Sequence, residues 1–527
     1  MASAAGPAQA PSTPQRASGA VGEAALSVAQ RGFLTVGVMA AMVMQVLDTT
    51  IANVALPHMQ ASLNATSDTV TWVLTSYIVA AAIATPITGW LSDRFGSRNL
   101  FLFAVSGFII ASMLCGIATS LEEMVAFRLL QGICGAFIPP LSQTVMMDIN
   151  PPERQAKAMS IWGMGVMVGP IMGPVLGGWL TENYSWRWCF YVNVPIGALT
   201  LAILWLLLPS RPRTERRFDG FGFGMIALGV ASFQLMLDRG QHEDWFQSWE
   251  ILIEGGIAIA ALWVAVVHLA TAKRPLFERA LFRDRNLVAG MFFMLLIGAI
   301  TLAPLALLPP MLQHLYGYSV IYTGMVLAPR GAGVLITMFI SSQFAGKIDL
   351  RFVIATGMLI ISYSLWEMAQ WSLDVGPASI VTTGFLQGLG MGLVFMQLNT
   401  LAFATLDRRW RTDGTSLMNL LRSLGASAGI SLCTTLLTQN TQTTHEHLTR
   451  FVTRSALDVI DPAQATRYGE IGGAALAAVN AELTRQATMI AYLNDFYMLA
   501  IVTLVCTPLV FVLRNPRGPV EQVHLGE

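Results

Sequence analysis

IWGMGVMVGPIMGPVLGGWL, residues 161–180, decides how this chain is read. Gly165, Gly169, Gly173 and Gly177 recur every fourth residue, with Gly178 beside the last, so on a helix they form one flat stripe. Such a stripe lets a neighbouring backbone come close, which is how helices associate in lipid, where the hydrophobic drive between them is absent. Pro170 and Pro174 each remove a backbone donor, so the spacing predicts a helix that is bent or locally loose. In water these residues would cost roughly several kcal/mol of helix propensity. The stretch is apolar throughout and about long enough to cross a bilayer. A glycine-faced, proline-bent membrane helix serves either as a tight packing surface or as a pivot, and the stretch alone leaves both open.

Composition extends that reading to the whole chain. Of 527 residues, 54% are hydrophobic and 12% charged, with mean hydropathy +0.58. Soluble domains are typically about 25% charged, so this is a polytopic membrane protein. Zero net charge argues against a nucleic-acid partner. Cys115, Cys134, Cys189, Cys433 and Cys506 all sit in apolar segments without paired spacing, and read as small hydrophobes. The Ala-, Pro- and Ser-rich start lacks a basic end followed by a long apolar run, so residues 1–32 read as a disordered tail rather than a cleaved signal.

Fourteen apolar segments follow, near 33–57, 71–92, 99–118, 123–146, 157–180, 188–208, 221–238, 251–270, 286–312, 321–345, 352–371, 378–405, 413–439 and 491–513. With the N-terminus inside, inner loops and tails hold 22 of the 31 Lys and Arg residues and outer loops hold six. That bias places both ends in the cytoplasm. Four of the six outer ones lie in one long loop, 440–490.

The chain also repeats itself. At a spacing of 256, LQGICG (130–135) lies over LQGLGM (386–391), Gln143–Thr144 over Asn399–Thr400, and Gly169 and Gly173 over Gly425 and Gly429. At a spacing of 253, Arg94 and Arg98 fall on Lys347 and Arg351. The pattern predicts an all-α membrane protein of two six-helix halves, 33–208 and 286–513, in parallel repeat, with a substrate site between them near midplane. Segments seven and eight have no counterpart, so 209–285 reads as a two-helix insert, and 514–527 as a second cytoplasmic tail.

Several motifs resemble those of the major facilitator superfamily. Gly89-Trp-Leu91-Ser-Asp93-Arg94-Phe-Gly96-Ser-Arg98 resembles its loop signature G-x-L-a-D-r-x-G-r-k, with Ser97 where a basic residue is usual. Arg128-Leu-Leu-Gln131-Gly132 resembles the fourth-helix motif, and 165–178 the fifth-helix motif that marks exporters. Leu47-Asp48-Thr49-Thr50-Ile51 with Asn53–Pro57, and WRWCFYVNVPIG at 186–197, resemble the fourteen-helix drug:proton antiporters of the EmrB/QacA family, in its EmrB-like branch. The resemblance spans about 33–513. It implies a proton-coupled exporter that uses no cofactor, handing its substrate to a periplasmic adaptor and an outer-membrane channel.

Asp48 is the most secluded acid of the first half, and a charge at membrane depth is by default a functional hypothesis. It lies about 13 Å below the outer end of its helix, counting from Pro57, and Arg128 about 9 Å below the same side, counting from Glu122. The family fold places their helices together. Burial raises an Asp pKa and a nearby Arg lowers it, so a pair whose separation changes can bind and release a proton. A static buried ion pair is the alternative. Candidates to line a substrate cavity are Gln45, Thr49, Asn53, Gln131 and Trp162 in the first half. In the second they are Arg330, Glu367, Gln397, Asn399, Asn419 and Arg422. For the second-half residues a purely structural role is the stronger reading, and those of the first half could equally just satisfy their neighbours. Twenty-seven methionines suit a cavity for greasy ligands of varied shape.

None of the three lysines stands in a phosphate-binding loop, no HExxH is present and no GxSxG elbow, so ATP hydrolysis, a metallohydrolase and a serine hydrolase have no support. The sequence therefore predicts a proton-coupled exporter of hydrophobic or amphipathic compounds in the inner membrane. An uptake symporter of the same fold and a non-transporting membrane enzyme or receptor are the rivals. Two further expectations follow. Gly89, Asp93, Arg94, Gly96 and Arg98 form a cytoplasmic latch against the start of helix thirteen near Thr412, or serve only to hold the loop inside. The Ala-rich tract 473–494 forms a helix running into helix fourteen, part of an outer hairpin that docks the adaptor or covers the mouth.

Overall fold

The computed structural model describes residues 27–210, 216–241, 243–344, 348–450 and 472–514, and every regular element among them is helical. Fourteen long rods follow one another. They are α1 (Val28–Ser62), α2 (Trp72–Phe95), α3 (Ser97–Ile117), α4 (Leu121–Asp148), α5 (Pro152–Asn183), α6 (Trp188–Leu207) and α7 (Gly220–Arg239). Then come α8 (Trp249–Thr271), α9 (Arg285–His314), α10 (Val320–Phe344), α11 (Leu350–Met368), α12 (Pro377–Phe403), α13 (Arg411–Thr449) and α14 (Gly472–Cys506). Thirteen helices among the described residues are long and apolar enough to cross a membrane. The fourteenth rod is α5, 32 residues long, which carries the stretch quoted at the outset.

Local chemistry explains the boundaries. α1 starts at Val28, inside the stretch read as tail, because Ser27 and Gln30 form a capping box: each side chain accepts from the other's backbone N–H, at 3.2 and 2.9 Å. Prolines mark the interruptions. α2 tightens to a 3-10 turn at Thr85–Ile87 around Pro86, and α4 breaks at Phe137, just before Pro139 and Pro140. Gly96 alone joins α2 to α3, and its φ of 87° is one that side chains rarely adopt.

The packing repeats itself in the two halves. In the first, α1 packs on α5 and α6, and α4 on α2 and α3; in the second, α9 packs on α13 and α14, and α12 on α10 and α11. The repeated glycines sit at equivalent joints. A Cβ on Gly169 would press into Val46 and Leu47 of α1, and one on Gly173 into Thr50. Likewise Gly425 and Gly429 abut Leu295 and Ala299 of α9. The stripe of α5 is thus a close-packed seam on α1. The α5 helix runs without interruption, and the side chains of Pro170 and Pro174 lie outside the described ones.

Between the halves, α5 packs on α10 and α12, and α4 and α2 pack on α13. Polar bonds across this boundary gather at the end of the bundle where α1 begins and α14 ends, called here the termini side. Gln143 donates to Asn399 at 2.6 Å, and Asn419 donates back to Gln143 at 3.3 Å. The hydroxyls of Thr144 and Thr415 lie 3.2 Å apart, and Arg411 reaches Asp148 at 3.6 Å. Gln143 and Asn399 are counterparts in the sequence repeat, so they meet as residues do near a two-fold axis. The termini side of this structure is closed. α7 covers the seam between α2 and α13, donating from Gln234 to Ser427 at 2.8 Å, and α8 packs on α7. On the far side, α13 and α14 extend as a pair joined by His445 and Asn480 at 2.9 Å. The part of the expected hairpin at 451–471 lies outside the described residues.

Candidate functional site

Asp48 is 1% exposed on α1, and its two oxygens receive three donors from two other helices. Arg128 Nη1 of α4 donates to Oδ2 at 2.6 Å, while Gln131 Nε2 of α4 and Asn193 Nδ2 of α6 each donate to Oδ1 at 2.8 Å. The helical repeat puts Arg128 and Gln131 on one face, and Arg128 also donates to Gln131 Oε1 at 2.7 Å. Arg128 Nε donates to the Val73 carbonyl at 3.0 Å. Its guanidinium lies 4.4 Å over the Tyr77 ring and 5.7 Å from that of Phe190, which supplies further stabilisation of a desolvated cation. Asn193 is held in turn by Ser112 at 3.0 Å, and Gln45 donates to Tyr77 at 3.1 Å.

All three groups that bond the Asp48 oxygens are donors, and one of them is a cation. Losing Arg128 would strand a buried charge, which costs about 3–5 kcal/mol. A proton arriving on Asp48 would instead strand the guanidinium. Asp48 is also flanked by the α5 seam, since Val46, Leu47, Thr50 and Ile51 all face the glycine stripe and Thr50 donates to the Gly169 carbonyl at 3.2 Å. Sliding of α1 on α5 would shift Asp48 against Arg128.

The last turns of α2 lie against α13, where a Cβ on Gly89 would collide with the Asp413 carboxylate. The bridge is a residue the sequence reading did not single out. Arg216, in the link after α6, reaches Asp413 at 2.8 Å and Asp93 at 3.4 Å, and also donates to the Leu276 carbonyl. Burial works against its charge, but the Asp413 and Asp93 carboxylates outweigh it and lift its pKa above the ordinary arginine value. Arg94 is exposed, and Arg98 donates to the Trp205 carbonyl.

The other candidates scatter. Gln131 belongs to the Asp48 cluster, Thr49 donates to its own helix at Val46, and Asn53 is exposed. Trp162 stacks on Phe395 across the halves at 6.1 Å, and Asn399 and Asn419 form the termini-side bonds to Gln143. Arg330 donates to the Thr301 carbonyl at 2.9 Å within the second half. Gln397 lines a cavity of about 300 Å³ with Ser341, Leu350 and Leu393. Glu367 is half-buried near the end of α11, Arg422 is half-buried where Gly298 crosses its backbone, and Gly178 has open space beside it. Gly165 and Gly177 meet Met39 and Ile51 of α1. Asn193 was legible only as part of the 186–197 motif; a polar residue among apolar ones was its signal.

Two six-helix halves, a closed seam on one side and a buried ion-paired acid define a secondary active membrane transporter, not an enzyme. The chain belongs to the major facilitator superfamily: residues 38–430 match the model of that family. It is 35% identical over 504 residues to Multidrug export protein EmrB of Escherichia coli (strain K12), covering 94% of this chain and 97% of that one. It is 34% identical over 502 residues to Fatty acid resistance protein FarB of Neisseria gonorrhoeae, covering 93% and 97%. The resemblance to the EmrB-like branch is thereby borne out. Among solved structures, the human organic anion transporter MFSD10 (TETRAN) matches with a TM-score of 0.59 at 12% identity, covering 90% of this chain and 99% of that one. A bacterial homolog of the human lysosomal transporter Spinster, inward-facing and unoccupied, matches at 0.54 and 18%, covering 93% and 100%. At these identities the two structures bear on the fold alone.

Proposed function

We propose that this transporter exports hydrophobic or amphipathic compounds in exchange for protons, by alternating access, across an inner membrane with both termini in the cytoplasm. The observation that carries the reading is the buried cluster of Asp48 with Arg128, Gln131 and Asn193. The termini-side closure supports the outward-facing stage of such a cycle. A proton entering from the far side neutralises Asp48 and frees Arg128; the halves rock, the Arg216 bridge and the Gln143 bonds part, and the proton leaves to the cytoplasm. No cofactor takes part. Relatives named for multidrug export and for fatty acid resistance support a greasy substrate range that confers resistance on the host. The far-side extension of α13 and α14 is the contact for a periplasmic adaptor and, through it, an outer-membrane channel.

The energetics suffice. About 100 mV is worth ~2.3 kcal/mol per charge, one pH unit adds about 1.4 kcal/mol, and a hundredfold gradient of a neutral compound needs about 2.7 kcal/mol. The test uses everted vesicles and ethidium. Acidifying the interior should drive ethidium in, and Asp48→Asn should abolish that uptake. An uptake symporter would release ethidium under the same gradient, and a non-transporting protein would leave it unmoved.

A further inference from the structure

Three acids among the described residues are buried: Asp48, Asp413 and Asp495. Asp48 is paired with Arg128 and Asp413 with Arg216. Asp495 has no such counterpart among the described residues. It is 1% exposed, inside the apolar run Val479–Val512, and neither carboxylate oxygen has a hydrogen-bond partner among the described residues.

Its surroundings are largely apolar and aromatic. α14 packs on α13 and α11, and more lightly on α9. The titratable groups that interact with Asp495 are Cys433 on α13 and Tyr492 on its own helix, neither of which supplies a counter-charge. α11 carries Arg351 at its start, ion-paired with Asp349, and Glu367 near its other end. α9 carries Arg285 and His314 at its two ends, and Arg422 of α13 stands about 16 Å along the helix from Cys433. Phe496 stacks on Tyr492 and meets Trp371 edge-on at 6.2 Å, just past the end of α11, while Ser362 donates to the Ala500 carbonyl at 2.8 Å. The Trp371 contact sets Asp495 near the far side of the bundle.

An ionised carboxylate without a donor is far costlier in such a place than a neutral acid, so this arrangement holds the protonated form. Leucine would pack there at no such cost. An acid kept at membrane depth is a proton-relay candidate. α13 is the helix that walls Asp495 through Cys433 and also carries Asp413, Thr415 and Asn419 of the termini-side closure. Parting of that closure would move α13, and a loosened α13–α14 seam would admit water to the acid.

We propose that Asp495 is a second proton-carrying site, in the second half, so that each cycle takes in two protons rather than one. The carboxylate, loaded from the far side, keeps one proton buried while the termini side is closed and gives that same proton to the cytoplasm when the seam loosens. The proposal rests on proton-coupled export through Asp48 and extends it: a monocation leaving against two protons moves one net charge, whereas against one proton its exchange is electroneutral.

The experiment holds a fixed pH gradient across proteoliposomes, sets the membrane potential with potassium and valinomycin, and reads the steady-state ethidium gradient. The wild-type gradient should change about tenfold for each ~59 mV, and that of Asp495→Asn should not respond. A variant that keeps the wild-type voltage response overturns the proposal, as does a wild type that ignores voltage. A second readout needs neither transport nor a variant. Dicyclohexylcarbodiimide attacks neutral buried carboxyls, so mass spectrometry of the treated native protein should find Asp495 modified and Asp48 spared. An unmodified Asp495 overturns the proposal. Failure of the underlying reading shows separately, as Asp48→Asn vesicles that still exchange protons for ethidium.

Discussion

Replacing Asn193 by Leu tests the Asp48 cluster with little change of volume. The amide donates to Asp48 Oδ1 at 2.8 Å and to Ser112 at 3.0 Å, while its own carbonyl oxygen has no partner among the described residues. Leucine therefore removes two donated bonds and strands no donor, and Ser112 keeps its bond to the Phe190 carbonyl at 2.8 Å. A hydrogen bond to a charged group is worth about 1.5–3 kcal/mol. At about 1.4 kcal/mol per pH unit, the anion loses one to two units of preference over the acid. Fewer donors favour the protonated form, so the midpoint of proton-driven exchange should move to higher pH by about 1–2 units. The assay is ethidium uptake into everted vesicles at a constant pH difference while absolute pH is stepped. Arg128 and Gln131 remain, so maximal exchange should persist. A midpoint that stays in place, or falls, would refute the reasoning, because Asn193 would then not be sensed by the group that carries the proton.

Asp48→Asn should abolish proton-driven exchange while equilibrium binding of ethidium, read by fluorescence, survives; Arg128→Ala should also fail, with a lower melting temperature, because it strands the carboxylate. Gly173→Val should lose exchange and about 1–3 kcal/mol of stability by driving α1 off α5, whereas Gly178→Ala, with open space beside it, should match wild type in both. Arg216→Gln, like Asp93→Asn, should raise thiol labelling of a cysteine placed at Thr412 from the termini side; unchanged labelling would leave the α2–α3 loop a topological signal only. Replacing 442–488 with a short Gly/Ser linker should leave exchange in liposomes near wild type and abolish resistance in cells and co-purification with the adaptor. Loss of exchange in liposomes would assign the extension to the transporter's own gate.

Much of the architecture was legible because membrane helices are written in runs of apolar residues. In lipid each backbone group must be satisfied within its own segment, so composition and length alone mark the rods. The repeat of Gln143 at Asn399, and of Gly169 and Gly173 at Gly425 and Gly429, gave the two halves from spacing. Helix starts were less legible: α1 begins at Val28 because a Ser27–Gln30 capping box overrides an otherwise polar stretch. Asp48 and Arg128 could be matched in depth by counting residues from two helix ends, since rise per residue is constant.

Depth is a property of one helix, but contact belongs to several. Which groups would complete Asp48 depended on how α6 rotates against α1, and no count along the chain reveals that Asn193 points inward and Asn53 outward. Arg216 lay in a basic link whose charges had a sufficient topological reason, yet packing brings it between Asp93 and Asp413, residues 320 apart in sequence. Nothing along the chain marks Asp495 in its aromatic-rich helix; burial shows it without a hydrogen-bond partner among the described residues. The sequence by itself determined how many helices there are, where the halves divide and which charges lie at membrane depth, because hydropathy and spacing are local. The pairing of those charges, and which acid lacks a partner among the described residues, was decided only by tertiary packing, because it turns on the rotation of each helix against its neighbours.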